Sequence, residues 1–127
     1  MTDSPTPTAR ELELLRILWR RGPSSVREVH RALLPREPDL ASNTVQTLLR
    51  IMDDKGLVSH ETQGRSFIYA ARFTRDDSVA GFLDRVFDGA AGELVSCLLQ
   101  SERISAGELE CIQGLITAAR RLRADKK

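Results

Sequence analysis

Cysteine is scarce in this sequence, and its two copies form no recognisable motif. Cys97 and Cys111 are the only cysteines among 127 residues, and their spacing is not that of a C-x-x-C site. Two cysteines cannot supply the disulfide framework of a small secreted domain. A chain of this length can bury a core without disulfides. The sequence therefore predicts reduced, buried thiols and a cytoplasmic protein.

Long apolar runs and a strong charge of one sign are also missing. No stretch approaches the roughly 20 apolar residues of a membrane-spanning helix, so we expect neither a membrane span nor membrane binding. The formal net charge is +1, with +3 over residues 1–75 and −2 over residues 76–127. This mild asymmetry permits phosphate binding by the first part of the chain without requiring it.

The usual sequence features of an enzyme are absent as well. The chain has no Gly-rich phosphate loop, no nucleophile beside an evident base and no paired carboxylates in a recognisable motif. We therefore predict that the protein is not an enzyme and needs no cofactor.

Two capping boxes mark the beginnings of the first two predicted helices. Thr8 and Glu11 are three residues apart and can each bond the other's backbone amide, and Ser25 and Glu28 repeat the pattern. A Gly-Pro pair ends the first helix, and two prolines end the second. The apolar residues that recur at helical spacing are Leu12, Leu15, Leu18 and Trp19 in the first helix and Val26, Val29 and Leu33 in the second.

The third predicted helix has two chemically different faces. Val45, Leu48, Leu49 and Met52 follow the i, i+3, i+4, i+7 spacing of a buried stripe. The opposite face is poor in carboxylates. Side-chain amides can pair with adenine, a guanidinium can pair with guanine, and a Thr methyl can touch the thymine methyl. The candidate DNA-binding residues on this helix are Asn43, Thr44, Gln46, Thr47 and Arg50.

A β-hairpin is predicted directly after the third helix. Residues 57–61 and 66–70 are β-prone runs, and the polar residues 62–65 connect them. Three helices followed by a hairpin predict a winged helix-turn-helix DNA-binding domain over residues 1–73. Arg65 at the hairpin tip and Arg27 near the start of the second helix are expected to contact phosphates or groove walls.

The rest of the chain, residues 74–127, predicts three helices with more apolar surface than they can bury against one another. A second copy of the chain is the most economical partner for that surface, so this region is predicted to form a homodimer. The fold class is thus mainly α with a small β-hairpin. The expected dimerisation residues are Val79, Phe82, Leu83, Val86, Leu109, Ile112 and Ile116, and Leu115, Ala119 and Leu122 are expected to face inward with the last three.

Several segments together resemble the penicillinase repressor (BlaI/MecI) family of winged-helix transcriptional regulators, from Thr8 to about Leu122. The resemblance implies a homodimeric repressor of transcription that binds an inverted-repeat operator in double-stranded DNA. It also implies that the C-terminal helices form the dimer interface. The segments are ELELLRILWRRGP at 11–23, VREV at 26–29, NTVQTLLRIM at 43–52, KGLV at 55–58 and GRSFIY at 64–69.

The resemblance also implies a possible membrane sensor protease in the pathway, because the penicillin-responsive members are cleaved in their C-terminal region. Here residues 95–99 read VSCLL, without the Asn-Phe bond of the best-known members, which argues against induction by that cleavage. The C-terminal sequence RRLRADKK likewise lacks the cysteine-rich tail of the copper-responsive relatives.

Two other interpretations stay open on the residues alone. In a metal- or redox-responsive regulator, His30, His60, Cys97 and Cys111 would be ligands or switching thiols, although their spacing is not that of a local metal site. A winged helix can also bind protein instead of DNA, although a third helix poor in carboxylates favours DNA. Salt-dependent binding to duplex DNA distinguishes these interpretations.

Overall fold

The computed structural model describes residues 6–126, which form six helices and three short strands. Met1 to Pro5 and Lys127, at the outer ends of the two predicted domains, lie outside the described residues. The helices are α1 (Ala9–Arg21), α2 (Val26–Leu33), α3 (Ser42–Asp54), α4 (Arg75–Phe87), α5 (Ala91–Gln100) and α6 (Ala106–Asp125). The strands are β1 (Ser24–Ser25), β2 (Val58–Gln63) and β3 (Ser66–Ala71).

The chain divides into two compact units within α4, between Phe82 and Leu83. The sequence instead predicts a domain boundary between residues 73 and 74, at the start of the same helix, and that boundary stays a prediction. The first unit contains the sheet and the first three helices.

The first unit has one hydrophobic core, to which α1, α2, α3 and the sheet all contribute. Its stripe on α1 begins at Glu11 and continues through Leu14, Leu15 and Leu18, which is the i, i+3, i+4, i+7 spacing. The first position of this buried stripe is therefore a charged residue. The apolar pattern of the sequence indicates Leu12 as a core residue, but the residue buried there is Leu14. The other core residues are Val29, Leu33, Val45, Leu49, Met52, Val58 and Tyr69, together with Leu57 in the connection between α3 and β2.

Capping boxes begin α1 and α2, as the sequence analysis predicts, and a third box with the same spacing begins α6. At α1 the amide of Glu11 donates to Oγ1 of Thr8 over 3.1 Å, and the amide of Thr8 donates to Oε1 of Glu11 over 2.9 Å. These bonds satisfy two backbone groups that a helix N-terminus leaves without partners. The other two boxes are Ser25 with Glu28 and Ser105 with Glu108.

Glu11 also forms an ion pair that connects α1 to the end of α3. Its side chain is 3% exposed, and Nζ of Lys55 lies 2.8 Å from Oε2. Burial by itself raises the pKa of the Glu11 carboxyl, but hydrogen bonds from Lys55 and Thr8 together outweigh burial and hold that pKa below its ordinary value of 4.5. The carboxylate is therefore more acidic in the folded protein than in the unfolded chain.

Replacement of Glu11 by Gln is expected to lower the free energy of unfolding by about 1–2 kcal/mol at neutral pH, because a charge-assisted hydrogen bond is lost. Gln can still complete the capping box. The folded-state pKa is lowered, so the contribution of the carboxylate is complete above pH 4.5 and disappears as the pH falls through the folded value. Urea unfolding at several pH values measures the difference between parent and variant, which should shrink on acidification. A difference independent of pH would contradict this account, and Glu61→Gln, at an exposed carboxylate, is the control.

Trp19 is half-buried and contacts the segment that leads into α4. Its indole Nε1 donates to the carbonyl of Phe73 over 2.9 Å, and the guanidinium of Arg75 lies 5.6 Å from the ring centre. Thr74 caps α4, because the amide of Asp77 donates to Oγ1 of Thr74 over 2.9 Å. The beginning of α4 is therefore held against α1.

The sheet has three strands in the order β1-β3-β2, all antiparallel, whereas the sequence predicts a hairpin alone. β1 consists of two residues, and Ser24 pairs with Tyr69. A strand this short has no periodicity to recognise. The connection between β2 and β3 has two residues, not four, because pairing continues to Gln63 and Ser66 and the chain turns at Gly64 with φ of 64°.

None of the residues of α4, α5 and α6 is buried. Leu115 is 69% exposed and Leu122 is 63% exposed, so the expectation that the apolar residues of α6 face inward is wrong for the single chain. Both cysteines are exposed, on α5 and α6. The prediction of buried thiols is therefore also wrong for the single chain, because neither helix has a buried residue. No helix within residues 6–126 combines the length and apolarity that crossing a membrane requires.

Candidate nucleic-acid interface

The exposed face of α3 carries the side chains that the sequence indicates for base contacts. Val45, Leu49 and Met52 are fully buried and hold one face of the helix against the core. The i, i+3, i+4, i+7 positions of the opposite face are Asn43, Gln46, Thr47 and Arg50, and all four are exposed. Thr44 is also exposed and lies on the flank of this face.

The N-terminus of α3 has no side-chain cap. Ala41 is the N-cap residue and makes no side-chain hydrogen bond, and the first turn holds no acidic residue. Backbone amides at this end of a helix favour an anion such as a phosphate oxygen, because they lack partners within the helix and lie at the positive end of its dipole. The helix end that begins the candidate interface is thus suited to a DNA backbone.

The hairpin is connected to the C-terminal part of α3 through His60 on β2. Its imidazole Nδ1 is hydrogen-bonded to the carboxylate of Asp53. The His60 ring centre lies 4.5 Å from that of Phe67 and 5.8 Å from that of Tyr69, both on β3. Burial and the nearby Asp53 raise the pKa of the Tyr69 hydroxyl, so this group stays protonated at neutral pH.

Three predicted DNA-binding residues from three different elements line one concave surface. Arg27 of α2, Gln46 of α3 and Arg65 of the hairpin turn border this open concavity of about 730 Å³. Asn43, Thr44, Thr47 and Arg50 lie outside its lining. Six further residues line it that the sequence analysis did not assign to DNA binding: Ser25, Val26, Ser42, Ser66, Phe67 and Tyr69.

The arginines of this interface are available for new ionic contacts. Among residues 6–126, no carboxylate lies within 4.0 Å of the guanidinium of Arg27, Arg50 or Arg65, and all three side chains are exposed. A guanidinium without an internal partner can bind a phosphate through paired hydrogen bonds. The concave surface and the adjacent α3 face therefore combine positive charge with groups that can bond base edges.

Phe67 is the most unexpected member of the concave surface, since it is 47% exposed. It lies two residues before Tyr69 on β3, and alternate residues of a strand face the same side. His60 is paired with Tyr69 across the sheet. In the sequence, the two-residue spacing of Phe67 and Tyr69 indicates that both face the same side of a strand. Only the pairing of β2 with β3 shows that His60 lies beside them.

The two histidines of the metal or redox alternative each have a partner of another kind. Nε2 of His30 donates to the carbonyl of Leu40 over 2.7 Å, and His60 is paired with Asp53. Within the described part of the chain, no group of three or more His, Cys, Asp or Glu side chains is arranged to hold a metal ion. The alternative gains no support from this arrangement.

Comparison with known proteins finds a family model described as penicillinase repressor that matches residues 7–118. The chain is similar to the penicillinase repressor of Bacillus licheniformis, with 26% identity over 113 residues that cover 86% of this chain and 88% of that protein. It is also similar to the solution structure of the DNA binding domain of the repressor BlaI, with 27% identity and a TM-score of 0.52 over 61% of this chain and 93% of that one.

A MarR family protein from Bacillus stearothermophilus shares the fold. Its structure gives a TM-score of 0.50 with 17% identity, over 94% of this chain and 77% of that one. Together with the six helices and the three-stranded sheet, these similarities identify a winged-helix architecture.

Proposed function

The chain belongs to the penicillinase repressor family, and from this premise we propose that it is a DNA-binding transcriptional repressor that acts as a homodimer on an inverted-repeat operator. The family and fold are those of DNA-binding transcriptional regulators. The main support for the proposal is the concave surface, which is lined by Gln46 together with Arg27 and Arg65. A repressor has to reach its operator, so the proposal implies a cytoplasmic location.

We assign two roles to the residues of this interface. Thr44, Gln46 and Thr47 contact base edges in the major groove, and Asn43 contributes a second amide for adenine. The arginines chiefly contact phosphates or groove walls, where their charge displaces counterions. Those arginines are Arg27, Arg50 and Arg65, and none of them has an acidic partner within the described residues.

The dimer proposal is supported by the exposure of large apolar side chains on α4 and α6. Val79 is 54% exposed, Val86 56% and Ile116 50%, and large apolar side chains exposed in such number are typical of association sites. A two-fold symmetric dimer would present two α3 helices to two half-sites of opposite orientation. The other proposed interface residues are Phe82 and Leu109, which are exposed, and Leu83 and Ile112, which are half-buried.

A membrane sensor protease in the pathway stays a hypothesis. Residues 95–99 lie inside α5, and Val95, Leu98 and Leu99 are exposed. A protease binds its substrate in extended form, so this helix would have to open locally before any cleavage there.

Duplex binding at several salt concentrations tests the proposed function. The full chain is expected to bind the promoter fragment of its target gene about 10³-fold more tightly than random duplex of the same length. The logarithm of the binding constant should fall linearly with the logarithm of salt concentration, because phosphate contacts release counterions. Fluorescence anisotropy of labelled duplexes measures both quantities. Equal affinity for every promoter fragment and for random duplex would contradict sequence-specific repression.

A further inference from the structure

A second groove, between α1 and α2, is lined by four arginines. Arg16, Arg20 and Arg21 come from α1, and Arg36 comes from the segment that follows α2. The groove has a volume of about 300 Å³ and shares no residue with the concave surface of the candidate DNA interface. Four guanidinium groups thus gather at a place that the proposed function does not use.

The floor of this arginine groove is apolar. Ile17 of α1 and Ala32 and Leu33 of α2 line the groove together with the charged side chains. Leu33 is buried, and Ile17 and Ala32 are half-buried. A carbon skeleton can pack on such a floor while its charged ends reach the arginines.

Most of the positive charge in the groove is not neutralised within the chain. Arg21 lies 3.6 Å from the carboxylate of Glu28. Glu13 also lines the groove, but its carboxylate lies 3.1 Å from the guanidinium of Arg10, outside the lining. In the described part of the chain, no carboxylate lies within 4.0 Å of the guanidinium of any other arginine of the groove: Arg16, Arg20 and Arg36.

The helix dipole accounts for only part of this cluster. Basic residues in a last turn are favourable, which explains Arg20 and Arg21 at the end of α1. Arg16 lies in the middle of α1, four residues before Arg20, and like charges at this spacing destabilise a helix. A bound anion would remove that repulsion.

We propose that the arginine groove binds a small ligand with two anionic groups, carboxylates or phosphates, joined by a short carbon skeleton. The groove volume lies at the lower end of small-molecule sites, which suits a metabolite and not a macromolecule. Arg16 and Arg20 on one wall and Arg36 on the other would each hold an anionic end, and the apolar floor would contact the carbons between them. The site goes beyond the proposed repressor function and does not depend on it.

Thermal unfolding of the full chain with added anions tests the proposal. The probes are adipate, butane-1,4-bisphosphonate, which joins two phosphate-like groups through the same four carbons, and inorganic phosphate, each compared with KCl at the same ionic strength. Adipate or butane-1,4-bisphosphonate is expected to raise the Tm by about 4–8 °C at roughly ten times its Kd, and inorganic phosphate by less. The stronger of the first two identifies carboxylate or phosphate as the preferred end group. If no probe exceeds the matched KCl sample, the proposal is overturned.

Variants locate the binding. The double variant Arg16→Gln with Arg36→Gln should bind the effective probe at least tenfold more weakly by calorimetry, because each charge-assisted contact is lost. Arg31→Gln is the matched control, since Arg31 is an exposed arginine of α2 outside the groove. Circular dichroism without ligand checks that the double variant folds.

Two outcomes of this experiment would overturn the proposal. One is a double variant that binds the probe as the parent does. The other is a combined result: no small anion binds the parent, and the double variant reduces the slope of log binding constant against log salt for duplex DNA by about two units. The arginines of the groove would then contact DNA phosphates and not a small ligand. Loss of sequence-specific repression would leave the anion measurements unaffected, so the two proposals fail separately.

Discussion

Replacement of Ile116 by Glu is expected to abolish the dimer and to weaken operator binding by about 10²- to 10⁴-fold, because two linked half-sites gain affinity through effective concentration. Ile116 is 50% exposed in the single chain, so the substitution leaves the fold of one protomer largely unchanged. In a dimer the new carboxylate would be buried without a partner, which is costly. Sedimentation velocity measures the oligomeric state, and fluorescence anisotropy measures affinity for the full operator and for a half-site.

Thr117→Glu is the matched control for this substitution. It adds the same charge to the next residue of α6, which is exposed and lies away from the apolar stripe. Affinity for a half-site should be the same in Ile116→Glu and in the parent. A dimeric Ile116→Glu variant would show that the interface lies elsewhere. A dimer formed by residues 1–75 alone would contradict the assignment of dimerisation to the C-terminal helices.

The second large effect is expected from Gln46, at the centre of the proposed reading face. Replacement by Ala should cost about 1–3 kcal/mol against the preferred operator and relax discrimination at one base position, because a bidentate base contact is lost. Binding to random duplex should change little. Gln46 is exposed, so the free energy of unfolding should also stay close to that of the parent.

Arg65→Ala is the comparison variant, because the proposal gives Arg65 a phosphate contact and not a base contact. It should weaken operator and random duplex to a similar extent and reduce the salt slope by about one unit. A salt titration of both duplexes with both variants separates the two roles. If Gln46→Ala keeps its preference for the operator undiminished, α3 does not read that base and the assignment of roles is wrong.

The local features of the fold were predictable from the sequence because they depend on residues close together in the chain. A capping box needs only two side chains three residues apart, so the boxes at Thr8, Ser25 and Ser105 could be recognised directly. The buried stripe of α3 follows helical spacing without interruption. The predicted elements also placed Arg27, Gln46 and Arg65 at exposed positions, but did not predict the concave surface that these residues share.

Other features depend on partners far away in the chain and left no local pattern. The buried stripe of α1 begins with Glu11, whose carboxylate is paired with Lys55, 44 residues later in the chain. A pattern of apolar residues cannot indicate that a Glu is buried. β1 exists only because β3 pairs with it. The thiols of Cys97 and Cys111 are exposed because their helices have no buried face in one chain, which the apolar sequence of those helices does not reveal.

Hydrogen bonds within the first unit join the parts of the candidate DNA interface before any DNA is present. Ser25 begins α2 as its cap and pairs with β3, and His60 holds the hairpin to Asp53 of α3. The freedom of α3 and the hairpin to move relative to each other is thus lost when the chain folds. Less conformational entropy is then lost when the protein binds DNA. A larger part of the free energy of the new contacts therefore contributes to affinity.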